Sequence, residues 1–109
     1  MATKVFISQP MNGKSKEEIL AERKKIEQAV RLKFDDYEIL DSFFDDFHEA
    51  RKAKNASLCF LGRSIQLMSF ADVVVFAEGW EHARGCSVEY MAAKAYELDI
   101  LYWNRFTLI

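Results

Sequence analysis

Phe70-Ala71-Asp72-Val73-Val74-Val75-Phe76-Ala77-Glu78-Gly79-Trp80-Glu81-His82-Ala83-Arg84-Gly85-Cys86-Ser87-Val88-Glu89 is the stretch that decides the fold. Its near-continuous apolar centre, Asp72–Ala77, is what a central parallel strand buried on both faces requires. A polar loop follows, and then a Gly-Cys-Ser turn that opens a helix expected from about Ser87 to Leu98. Val88, Met91, Ala92 and Ala95 are expected to face the sheet, and Glu89 is expected in the first helical turn. A carboxylate there can face a ligand bound outside the carboxyl end of the sheet, where open α/β folds bind small molecules.

The flanking segments repeat this alternation. Lys4–Ser8 reads as a short strand ended by the turn Gln9-Pro10-Met11-Asn12-Gly13. Ser15-Lys16-Glu17-Glu18 has the form of a capping box. Ile19, Ile26, Val30 and the stem of Arg23 then give one apolar face to a helix ending near Lys33. Tyr37–Leu40 is a second strand. Ser57–Ser69 reads as a helix with Leu58, Leu61, Ile65 and Met68 on one face. Ile100–Tyr102 is a fourth strand, and Phe106–Ile109 a candidate fifth. The expected fold is a three-layer α/β sandwich of flavodoxin or Rossmann type. Its sheet has four or five mostly parallel strands, with helices on both faces. With the first strand between the second and third, the loops Ser8–Gly13 and Glu78–Gly85 meet at the switch point and form a cleft.

The totals agree with one small domain spanning residues 1–109. Half of the 109 residues are hydrophobic, including nine Phe, four Tyr and two Trp, a density that a small core needs. A formal charge of −2 argues against sequence-independent binding to a nucleic-acid polymer, which depends on a positive surface. No apolar run approaches the ~20 residues of a membrane span, so no membrane partner is expected. Cys59 and Cys86 form no CxxC pair and read as free thiols of a reducing, cytoplasmic setting.

Each candidate for chemistry has a plain structural alternative. Glu89 can serve as a nucleophile at an anomeric carbon, or simply stabilise a helix start. Ser8, Gln9, Asn12 and Gly13 can hold a phosphate or ribose hydroxyls, or form an ordinary strand-to-helix turn. Glu78, Glu81 and His82 follow the third strand on the cleft side. His82 is placed to act as a general acid or base, or merely to sit in solvent. Arg84, Gly85 and Ser87 complete the candidate binding set, with Arg84 available to steer a phosphate. Asp72 reads as a solvated residue at the opposite end of the strand. Asp45, Asp46, His48 and Glu49 carry metal-ligating groups, but without a second His they read as a solvated acidic loop. No metal and no cofactor are expected.

Three blocks in order carry a resemblance: Lys4-Val5-Phe6-Ile7-Ser8-Gln9-Pro10-Met11-Asn12-Gly13, Ala71-Asp72-Val73-Val74-Val75, and Gly85-Cys86-Ser87-Val88-Glu89 followed by Ala92. On these the chain resembles the nucleoside 2-deoxyribosyltransferase-like superfamily, and within it the small branch found in bacteria and their phages. The resemblance covers nearly the whole chain. It implies that Glu89 attacks C1′ of a deoxyribose and releases the base, after which a second base or water takes the sugar. It also implies that Ser8–Gly13 lines the sugar or 5′-phosphate site of a nucleoside or nucleotide substrate.

The chain departs from the pattern at three places. Ser64 stands near the position of a helix Asp, Ala83 replaces a Ser or Asp, and Phe6 stands where active members often have Tyr. Either His82, Glu81 or a residue of a neighbouring subunit substitutes, or the cleft binds a nucleotide-derived ligand without turning it over. Members of the superfamily are symmetric oligomers. Together with the aromatic residues Phe43, Phe44, Phe47, Trp80 and Trp103, this implies a homodimer or a dimer of dimers. The Asp41–Asn55 segment is then expected near the partner's cleft.

Overall fold

A computed structural model describes residues 2–41 and 48–109, and places them around one four-stranded sheet. The strands are β1 (Thr3–Ser8), β2 (Tyr37–Leu40), β3 (Val73–Phe76) and β4 (Asp99–Tyr102). They lie in the order β2-β1-β3-β4, and every ladder is parallel. The helices are α1 (Lys16–Lys33), α2 (Ala56–Met68) and α3 (Arg84–Ala95), with 3₁₀ turns at His48–Arg51 and Trp80–His82. The fold is therefore the expected α/β class. No described helix is long and apolar enough to cross a membrane.

The pleat sorts β1 into two cores, because alternate side chains leave opposite faces of a strand. Val5 and Ile7 pack with Ile26 and Val30 of α1, with Val73 and Val75, and with Trp103. Phe6 joins Val74, Phe76, Met68 of α2 and Ala93 of α3 on the other face. Ser8 follows the same parity as Phe6, so its hydroxyl points to the side of α2 and α3.

The first helix forms as its sequence directs. The Ser15 side chain accepts from the Glu18 amide at 3.1 Å, and the Glu18 carboxylate accepts from the Ser15 amide at 3.3 Å. Ile19, Arg23, Ile26 and Val30 are buried at the expected spacing. Asp72 is exposed at the amino end of β3, where its carboxylate accepts from the Lys4 amide at 2.8 Å. It serves the sheet, at the end away from the cleft.

Four expectations need correction. Phe106–Ile109 is not a fifth parallel strand. The Asn104 side chain accepts from the Phe106 and Thr107 amides and reverses the chain. The returning segment then makes one antiparallel bridge, Trp103 to Leu108, beside the end of β4. Second, α3 begins at Arg84, so Glu89 is its sixth residue and lies in the second turn. Third, the buried face of α3 is Cys86, Glu89 and Ala93, while Val88, Met91 and Ala95 are exposed. Tyr90 sets this rotation: its ring stacks on Trp80 with centroids 4.1 Å apart and meets Phe76 edge-on at 5.2 Å. Small Ala93 then faces the sheet and allows close approach. Fourth, Trp103 is a core residue and Trp80 is half-buried, so neither belongs to an exposed aromatic cluster. Phe43, Phe44 and Phe47, like Asp45 and Asp46 and the side chains of His48 and Glu49, lie outside the described residues.

Candidate functional site

The cleft opens at the carboxyl ends of β1 and β3, on the α2 and α3 side of the sheet. It encloses about 600 Å³, within the ~300–1,000 Å³ usual for small-molecule sites. Ser8, Gln9 and the turn through Asn12 form one wall. Ser57, Phe60, Leu61 and Ser64 of α2 form a second. Gly79, His82 and Ala83 lead into the start of α3, where Arg84, Gly85, Cys86 and Glu89 complete the enclosure.

Glu89 occupies the floor. It is only 7% exposed, and one of its carboxylate oxygens, Oε1, accepts a 2.7 Å hydrogen bond from the Ser8 hydroxyl. Burial pushes its carboxyl from the ordinary value of 4.5 up to about 7, with the Ser8 hydrogen bond pulling the other way. A carboxyl held there exchanges a proton near neutrality, which suits acid, base or nucleophilic work. Cys86 lies one turn earlier, also buried and against Ser8. Burial pushes its thiol up to about 11, so it is a neutral thiol at physiological pH and a poor nucleophile.

The first loop is anchored from behind. The Gln9 amide donates to the Ile19 carbonyl at 2.7 Å and to the Glu22 carboxylate at 2.9 Å. Its oxygen accepts from Nε of Arg23 at 3.1 Å. Arg23 is itself buried, which holds its guanidinium below the usual arginine value, with Asp41 and Glu27 opposing. Gln9 thus lines the cleft while its polar atoms bind the loop to α1. Gly13 lies beyond the lining, at φ +78°, where it turns the chain towards Ser15.

The remaining expected residues divide. His82 and Arg84 are exposed at the cleft wall, and Gly85 lines it. Glu78 and Ser87 do not. Glu78 makes a bidentate ion pair with Arg105, both bonds 3.1 Å, outside the cleft lining. The Ser87 hydroxyl donates to the Glu81 carbonyl at 3.3 Å and to the Trp80 carbonyl at 3.5 Å, tying the 3₁₀ turn to α3. Sequence reasoning gave no role to Ser57, Phe60 or Leu61 in the cleft. The signal was present: serines 57 and 64, seven positions apart, lie on one face of the helix. Ser64 and Ala83 both line the cleft. Among the described residues no cluster of three metal-ligating side chains occurs.

No protein-family model, curated protein or solved structure matches the chain.

Proposed function

We propose that the cleft binds a nucleoside or nucleoside 5′-monophosphate and breaks its N-glycosidic bond, by transfer or hydrolysis, with Glu89 as nucleophile. The observation that carries this reading is Glu89 itself, a carboxylate at the floor of an open cleft with one oxygen held and the other without a partner among the described residues. An oxygen of ionised Glu89 forms a bond to C1′ as the C1′–N bond breaks, and the electron pair of that bond leaves with the base. The departing base takes a proton from water or from His82 across the cleft. Water or a second base then displaces the sugar from Glu89. Arg84, beside the start of α3, is available to a 5′-phosphate.

A second reading has its own observation. Among the described lining residues Glu89 is the sole carboxylate, whereas retaining glycosidases generally employ two. A module that binds a nucleotide-derived ligand without turning it over needs no second one.

Incubation with deoxynucleosides and their monophosphates, followed by chromatography for free base, tests the first reading. Base release should rise as pH climbs through about 7, where Glu89 ionises, and should fall by orders of magnitude in Glu89→Gln. Undiminished release in that variant removes Glu89 from the mechanism. Saturable binding by calorimetry without any release selects the binding module.

A further inference from the structure

We infer that Ser8 is the positioning residue of this site: its hydroxyl pins Oε1 of Glu89 to the end of β1 and leaves Oε2 as the oxygen presented to a ligand. This rests on the reading of Glu89 as the acting group, and its geometry is independent of which ligand is bound.

Ser8 is suited to hold something still. It is the last residue of β1 and is fully buried, and its carbonyl accepts from the Ala77 amide at 2.9 Å. Its Cα is in register with Phe76 of β3. A side chain with one torsion on such a backbone has little freedom. The 2.7 Å separation from Oε1 is the short distance typical of a hydroxyl donating to a carboxylate.

The two oxygens of Glu89 are therefore unequal. Oε1 has its partner. Oε2 has no partner among the described residues, yet no buried polar side-chain atom among them lacks one. Oε2 must then meet solvent, and the cleft that Glu89 lines is where it does so. The Cys86 thiol completes the arrangement. It lies against the Ser8 hydroxyl and, being neutral, puts no second negative charge beside Glu89.

Phe6, two residues earlier, faces the same side of β1 and offers no hydroxyl. Ser8 is thus the residue of this strand that can donate to Glu89. Among the described residues, the titratable groups around it are His82 and Arg84 at the cleft wall, and Lys14 and Glu22 on the side of α1. The α2 wall contributes the uncharged Ser57 and Ser64. Burial raises the proton affinity of Glu89 and the Ser8 hydrogen bond lowers it.

The test is a ¹³C NMR titration of the Glu89 carboxyl in the full chain, with Glu89→Gln identifying the signal by its loss. Ser8→Ala should move the midpoint upward by about one pH unit, the effect of removing a charge-assisted hydrogen bond. Ser8→Thr, which restores a hydroxyl, should bring it back towards the original value. An unchanged midpoint in a folded Ser8→Ala protein overturns the inference, and so does a Ser8→Thr midpoint that stays with Ser8→Ala in a protein with native amide dispersion. This readout needs no turnover. Absence of base release would defeat the glycosidase reading and leave the titration result standing, while an unmoved midpoint in an active enzyme would defeat the role of Ser8 alone.

Discussion

Replacing Glu89 by Gln should stabilise the protein at neutral pH, and the gain should vanish in acid. Burial raises the Glu89 carboxyl from 4.5 to about 7, a difference of about 2.5 units, or about 3 kcal/mol at ~1.36 kcal/mol per unit. The sign follows from linkage. Below about pH 4.5 the group is protonated in both folded and unfolded chains, and stability is unimpaired. Between there and about pH 7 the unfolded chain ionises while the folded one resists, so stability falls by up to ~1.4 kcal/mol per pH unit. Above about pH 7 the loss is complete. Gln cannot ionise and has no such slope. Its amide must still be solvated at the cleft floor, so the recoverable part is about 1–3 kcal/mol. Urea unfolding at pH 4 and pH 8, followed by tryptophan fluorescence, measures both ends. Equal differences at the two pH values, or a loss of stability at pH 8, would refute the reasoning. A helix-dipole role would give that loss, at about 0.3–1 kcal/mol, but Glu89 sits beyond the first turn of α3, where such a role fades.

Arg105 holds φ at +86° while pairing with Glu78 on the surface. Because an exposed pair contributes only ~0–1 kcal/mol and a left-handed non-glycine backbone costs ~1 kcal/mol, Arg105→Gly should unfold at higher urea than Arg105→Ala; equal midpoints would show that no strain is stored there. The layer formed by α2 and α3 leaves Leu58 62% and Met91 69% exposed, with Val88 nearby. Light scattering at micromolar concentration should therefore report a homodimer or a dimer of dimers, with Met91→Glu shifted towards monomer; a monomeric wild-type protein would sink this assembly.

The fold was legible because local signals and long-range ones agreed. The capping box at Ser15, the apolar stripe of α1 and the valine run of β3 each point to one element, and the structure has them within a residue or so. The switch point followed from strand order, and with it the meeting of the first loop and the loop after β3. The rotation of α3 was not legible. Hydrophobicity assigns Val88 and Met91 to the core, whereas the Trp80–Tyr90 stack turns them outward and carries Glu89 in. That contact depends on a half-buried aromatic pair ten residues apart, which no periodicity reveals. Glu78 and Ser87 read as ligand groups because their partners were invisible. Arg105 comes from a turn 27 residues away, and the acceptors of Ser87 are backbone carbonyls. Ser8 and Glu89 were each singled out, but their direct hydrogen bond needed the pleat parity of β1 and the true register of α3 together.

The hydrogen bond between Ser8 and Glu89 spans 81 positions of the chain, and the Lys4–Asp72 contact spans 68. β1 therefore cannot gain its second neighbour until a segment far along the chain has arrived. Closing so long a loop is entropically costly and is rewarded late, a pattern associated with slow folding. In a refolding experiment, helical signal should return first as α1 forms from neighbouring residues. Affinity for a ligand should return last. Partly assembled molecules, with β1 paired only to β2, would have no floor to the cleft and nothing to bind with.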